Sequence, residues 1–79
     1  MPKDLIQKNI RLSNELDKYI SSSSDAYRKI PKGAHVVITI DSDKRLSDAN
    51  MSLMRNSRSG RFVQANKSRV GWTIKTLKG

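Results

Sequence analysis

The run Ala34-His35-Val36-Val37-Ile38-Thr39-Ile40 constrains the fold most, because it is β-branched and apolar at both parities, with turn residues on either side. A strand with one wet face would alternate; this one predicts a strand at 34–40 covered on both faces, as strands of a parallel sheet are. Parallel neighbours need a crossover. Asp41, Ser42 and Asp43 follow at once, any of which can cap a helix at 44–56 whose inner stripe is Leu46, Asn50, Leu53 and Met54, with Ala49 beside them. Ser57, Ser59 and Gly60 end it, and Gly60 is placed to take a left-handed conformation. A strand at 61–66 comes next, then a second at 69–77 in which Val70, Trp72 and Ile74 alternate with Arg69, Thr73 and Lys75. Asn66, Lys67 and Ser68 would turn between the two; one bent strand from Arg61 to Leu77 is the alternative.

Ahead of the central strand, Leu5, Leu12, Leu16 and Tyr19 recur at helical spacing and predict an amphipathic helix at 4–21, with Lys8, Arg11, Glu15 and Lys18 on its other face. Four serines, Ser21 to Ser24, stop it, because their hydroxyls compete for backbone hydrogen bonds. Ser23 or Ser24 can cap a short helical turn through Arg28, ended by Pro31 and Gly33. The fold class is α/β (α+β): two main helices and a small sheet of two or three strands, in the order α-β-α-β-β, with a right-handed β-α-β crossover and a closing hairpin.

At 79 residues the chain makes one small domain, and its 35% apolar content leaves a marginal core. Two helices over three strands also leave a sheet face or edge open, so a homodimer is expected. The chain has no cysteine, which removes disulfides, thiolate metal sites and cysteine nucleophiles and points to the cytoplasm. No apolar run approaches the roughly 20 residues of a membrane span, and the first ten residues hold no signal-peptide core, so no membrane association is expected.

Catalytic chemistry is thinly supplied. His35 is the single histidine and reads as structural; a proton-transfer role would need a carboxylate against it. Asp41 and Asp43 could attract a hard cation, but helix capping accounts for them. Gly60 and Gly71 belong to no phosphate-binding loop. No catalytic residue, metal site or cofactor is therefore predicted, and the chain is read as a non-enzyme; an enzyme would need His35 or the Asp41 and Asp43 pair to work with a second subunit. Asn9 and Asn50 each interrupt a helical apolar stripe, where an amide must find partners or cost about 1–3 kcal/mol. They are predicted as buried polar residues, each tying its helix to backbone, with a shared polar pocket as the functional alternative.

The net charge of +9 is unevenly spread. Residues 1–48 carry nine basic and seven acidic groups, whereas residues 49–79 carry seven basic groups and no acid. Arg55, Arg58 and Arg61 straddle the end of the second main helix, where cations also suit the helix dipole. Arg69 and Lys75, with Thr73, have no such explanation, and a row of basic and hydroxyl groups on a strand face suits a phosphate backbone. The prediction is a non-catalytic basic module that contacts nucleic acid through Arg55, Arg58, Arg61, Lys67, Arg69 and Lys75. The rival is a protein-interaction module, antitoxin-like, whose acidic protein partner from a two-gene operon meets the same surface.

With these residues in view, the chain resembles a family of short uncharacterised bacterial and archaeal proteins. The likeness rests on Lys8-Asn9-x-x-Leu12-Ser13-x-Glu15-Leu16, on the turn Ile30-Pro31-x-x-Ala34, and on Leu46-x-x-x-Asn50-x-x-Leu53, and it covers roughly residues 5–54. It implies the fold and a small cytosolic prokaryotic context, and no activity.

Overall fold

Six elements follow one another in the computed structural model, which describes residues 2–57 and 60–78: α1 (Lys3–Ser22), α2 (Ser24–Arg28), β1 (His35–Ile40), α3 (Lys44–Arg55), β2 (Phe62–Ser68) and β3 (Gly71–Lys78). Leu5, Leu12 and Leu16 bury one stripe of α1. The helix stops at Ser23, whose extended backbone makes it the N-cap of α2, its Oγ accepting the Ala26 N–H at 3.3 Å. Asp43 caps α3 in the same way, Oδ1 accepting from the Leu46 N–H at 3.0 Å.

The sheet order is β1-β2-β3, with β1 parallel and β3 antiparallel to β2. Its helix-covered face joins Ile38, Val63, Ala65 and Ile74 to Leu5, Leu12, Leu16, Ala26 and Leu46 in one core. Burying each large side chain in that core contributes about 1.5–3 kcal/mol. Side chains of opposite parity point the other way, and there Val37 and Phe62 are buried outside that core. Beside them the Thr39 hydroxyl donates to Asn66 Oδ1 (2.6 Å) and accepts from Gln64 Nε2 (2.8 Å). Val37, Ile38 and Thr39 are thus buried at both parities, although the helices pack on one face of the sheet, while His35 and Val36 stay exposed.

β1 is an edge strand whose odd residues bond β2; the His35 N–H donates to Arg61 O at 2.8 Å and the Asp41 N–H to Lys67 O at 3.0 Å. Its even residues face α3, and two of them find side chains there. The Ile40 N–H donates to Ser47 Oγ (2.9 Å), and Asn50 Nδ2 donates to Ile38 O (2.8 Å). Side chains of α3 therefore satisfy the C-terminal half of an edge that would otherwise invite a further strand.

Three expectations are corrected. The hairpin is present, but its turn lies at Arg69–Val70, not at Asn66-Lys67-Ser68. Asn66 is held in the sheet by Thr39 and donates through Nδ2 to Asp41 Oδ1 at 3.0 Å, whereas Ser68 accepts the Val70 N–H and donates to Gly71 O. Gly71, at φ +131°, takes the positive-φ position that closes the turn. Val70, expected on the core side, is consequently 97% exposed, and Arg69 sits in the turn instead of on the strand. Leu53 is 60% exposed: two turns beyond Leu46 it has passed the core, and Ile6, Ile10 and Ser13 at the surface of α1 are its neighbours.

Candidate functional site

Two features stand out around β1: a polar seam between the main helices and an end of the sheet where exposed basic groups form no ion pair among the described residues. The seam is an amide pair. Asn9 Nδ2 donates to Asn50 Oδ1 (3.1 Å), and Asn50 Nδ2 donates to Asn9 Oδ1 (2.8 Å) and to Ile38 O. Asn50 is buried and fully engaged; Asn9 is half-buried, where the helical stripes predict burial of both. Each reading of the pair holds a part of the geometry, since Asn50 does tie its helix to backbone and both amides also line a common groove. That groove, of about 380 Å³, opens beside the start of β1 between Ser13 and Met54 on the helices, Ser57 just past α3, and His35 and Phe62 on the sheet. The His35 and Phe62 rings stack at 5.2 Å between centroids, 28° from parallel. Gly60 packs on them at φ +119°, where a Cβ would lie 3.3 Å from the imidazole.

The predicted basic residues separate into two groups. Lys67, half-buried on the helix-covered face of β2, forms an ion pair with Glu15 of α1. Arg69 is exposed at the hairpin tip. Arg61, which directly precedes β2, and Arg55, in the last turn of α3, are exposed at the opposite end of the sheet. Lys75 is exposed beside Gln64 on the uncovered face. Eight residues of chain part Arg61 from Arg69, roughly 26 Å at strand rise. Arg58 lies outside the described residues.

Ion pairing accounts for Lys67 but not for Arg69, which forms no ion pair among the described residues. Lys8 with Asp43, Lys44 with Asp48 (2.6 Å), Arg45 with Asp4 (2.7 Å) and Lys67 with Glu15 all gather where β1 and β2 finish and α3 begins. There the Lys8 ammonium and the Leu46 N–H hold the Asp43 carboxyl below the ordinary aspartate value, and the Arg45 guanidinium does the same to Asp4. The Asp4 carboxylate in turn raises the pKa of Arg45. Where β1 and β2 begin, Arg55, Arg61 and Lys75 form no ion pair among the described residues. Lys32, in the turn leading into β1, is also exposed there, and sequence reasoning missed it because it lies far from the arginine-rich segment along the chain.

Asp41 and Asp43 are spent on Asn66 and on the α3 cap, and no group of three His, Cys, Asp or Glu among the described residues is arranged to hold a metal. No helix among them is long and apolar enough to cross a membrane. Over residues 4–75 the chain matches a family of unknown function (DUF5647), and it belongs to that family. The match runs past the 5–54 stretch that carries the resemblance and takes in Arg55, Arg61 and Lys75. Neither a curated protein nor a solved structure matches the chain.

Proposed function

We propose that this protein is a non-catalytic binding module of the cytoplasm that works as a homodimer and meets nucleic acid through its phosphates at the end of the sheet where β1 and β2 begin. The observation that carries the reading is the segregation of charge: among the described residues the four ion pairs lie at the opposite end, and Arg55, Arg61 and Lys75 are exposed and form none, with Lys32 near them. An arginine fork and a lysine ammonium on a polar sheet face suit phosphate oxygens. Base stacking is not part of the reading, because Phe62 is buried and Tyr19 and Trp72 are half-buried against the core, which leaves Tyr27 as the single exposed tyrosine, tryptophan or phenylalanine ring among the described residues.

Titration of the full chain against duplex and single-stranded oligonucleotides at stepped salt tests it. Binding should weaken linearly in log–log form, and the Arg55→Ala, Arg61→Ala double variant should lower the duplex slope by about 2, while Arg69→Ala leaves most of it in place. Absence of binding at low salt overturns the proposal. A stoichiometric acidic protein retained through nuclease treatment would transfer the same surface to the protein-interaction reading.

A further inference from the structure

One side of α1 has a use that the core does not account for. Lys3, Ile6, Ile10, Ser13 and Asp17 recur at steps of three and four, which places them on one stripe of the helix surface. All five are exposed, Ile6 by 45% and Ile10 by 57%. Leu53 of α3, 60% exposed, lies alongside across the Asn9–Asn50 seam and widens the apolar patch. The middle of this patch carries no charge in a chain of net charge +9. Its flanks are neutral as well, with Gln7 and Asn14 on one side and Asn9 on the other.

The two charged residues at the ends of the stripe have no partner in their own helix. Three and four residues from Lys3 stand Ile6 and Gln7; at the same distances from Asp17 stand Ser13, Asn14, Ile20 and Ser21. Neither Lys3 nor Asp17 forms an ion pair among the described residues. Lys3, in the first turn, even opposes the helix dipole. Both, however, lie seven residues from Ile10, two turns or about 10.5 Å to either side. A two-fold axis passing beside Ile10 would therefore bring Ile10 onto Ile10 of a second copy, Lys3 onto its Asp17 and Asp17 onto its Lys3. A parallel arrangement would set Lys3 against Lys3.

We infer that this chain forms a two-fold homodimer through antiparallel contact of α1 with α1, with Leu53 at the margin. The stripe is complementary to itself in charge order, and spacing at three and four residues is that of an antiparallel helix seam. It also lets two chains of like net charge approach through their uncharged surface. The inference places the interface on α1, away from the sheet face or edge that the strand pattern suggests, and it stands independently of the polyanion reading.

Light scattering on the full chain after nuclease treatment, up to several hundred micromolar, tests it. The wild type should give about twice 8.9 kDa, and Ile10→Asp should give the single-chain mass with helical circular dichroism retained. Lys3→Asp or Asp17→Lys alone should weaken the dimer about tenfold, and the Lys3→Asp, Asp17→Lys double variant should recover it. A single-chain mass for the wild type, or a dimer indifferent to Ile10→Asp, overturns the inference. Failure of the double variant to recover, with both singles weakened, overturns the antiparallel pairing. The inference rests on the homodimer of the proposed function; loss of oligonucleotide binding in the arginine variants would leave all these masses unchanged, so the phosphate-contact reading and this interface fail separately.

Discussion

The two ends of the sheet handle the same kind of side chain in opposite ways. Where β1 and β2 finish, four basic groups meet carboxylates within the fold, Lys8 on Asp43, Arg45 on Asp4, Lys67 on Glu15 and Lys44 on Asp48, and Arg69 at the hairpin tip does not. Where the strands begin, Arg55 and Arg61 stand exposed without such partners among the described residues. Net charge says how many cations a chain must present, but the fold decides which of them are already answered. Lys67 shows the consequence. It belongs to the acid-free third of the chain and is nevertheless neutralised by α1, whereas Lys32, from the mixed-charge half, is left exposed near the basic end.

If matched polar groups hold the fold and unmatched cations serve a ligand, substitutions must separate the two, and the largest separation is expected at the amide seam. Asn50→Leu strips a donor from the Ile38 carbonyl and removes the two hydrogen bonds that Asn50 shares with Asn9, and should cost about 1–3 kcal/mol in urea unfolding while leaving the salt slope of oligonucleotide binding unchanged. A neutral result would break the comparison on its structural side.

Acidification should sharpen it next. Lys8 and the Leu46 N–H depress the Asp43 carboxyl in the folded chain, and Arg45 depresses that of Asp4. A depressed folded value means that the stabilisation is complete above the unfolded value, near 3.8, and is lost as pH falls through the lower, folded one. Thermal melts should therefore fall off below about pH 4. The loss should be smaller in Asp43→Asn, which keeps a side-chain oxygen for the helix cap but gives up the charge. Equal acid sensitivity in that variant would remove the ion pair from the account.

The smallest effect on stability belongs to the basic end. Arg61→Ala should stay within about 0.5 kcal/mol of wild type, yet lower the salt slope by about 1. Destabilisation on the scale of Asn50→Leu would mean that Arg61 is a structural residue and not a ligand group.

The amide seam shows how much of the site was legible. An amide within an apolar helical stripe is visible in the sequence at Asn9 and again at Asn50, and the need for partners follows from the cost of burying it unpaired. That each is the other's partner is not visible, because 41 residues separate them. The position of the hairpin turn was not legible for a related reason. Asn66-Lys67-Ser68 has the composition of a turn, but Asn66 is claimed by Thr39 and Asp41 of another strand and Lys67 by Glu15 of a helix, so the chain turns two residues later. Leu53 matched the period of α3 and still lies outside the core, since periodicity gives a direction around a helix axis and not the length over which a neighbour covers it.

The sequence by itself determined the kind and order of the elements, the short segments that hold the caps of α2 and α3, the positive-φ glycine after α3, and the excess of positive charge. Each of these depends on residues within a few positions of one another, through side-chain period, capping hydrogen bonds or backbone sterics. Tertiary structure decided which cations are neutralised, which amides meet, and which stripe of α1 is left exposed. Those outcomes depend on side chains brought together from 35 or 41 residues apart, as Lys8 is to Asp43 and Arg45 to Asp4, and local chemistry carries no record of such distances.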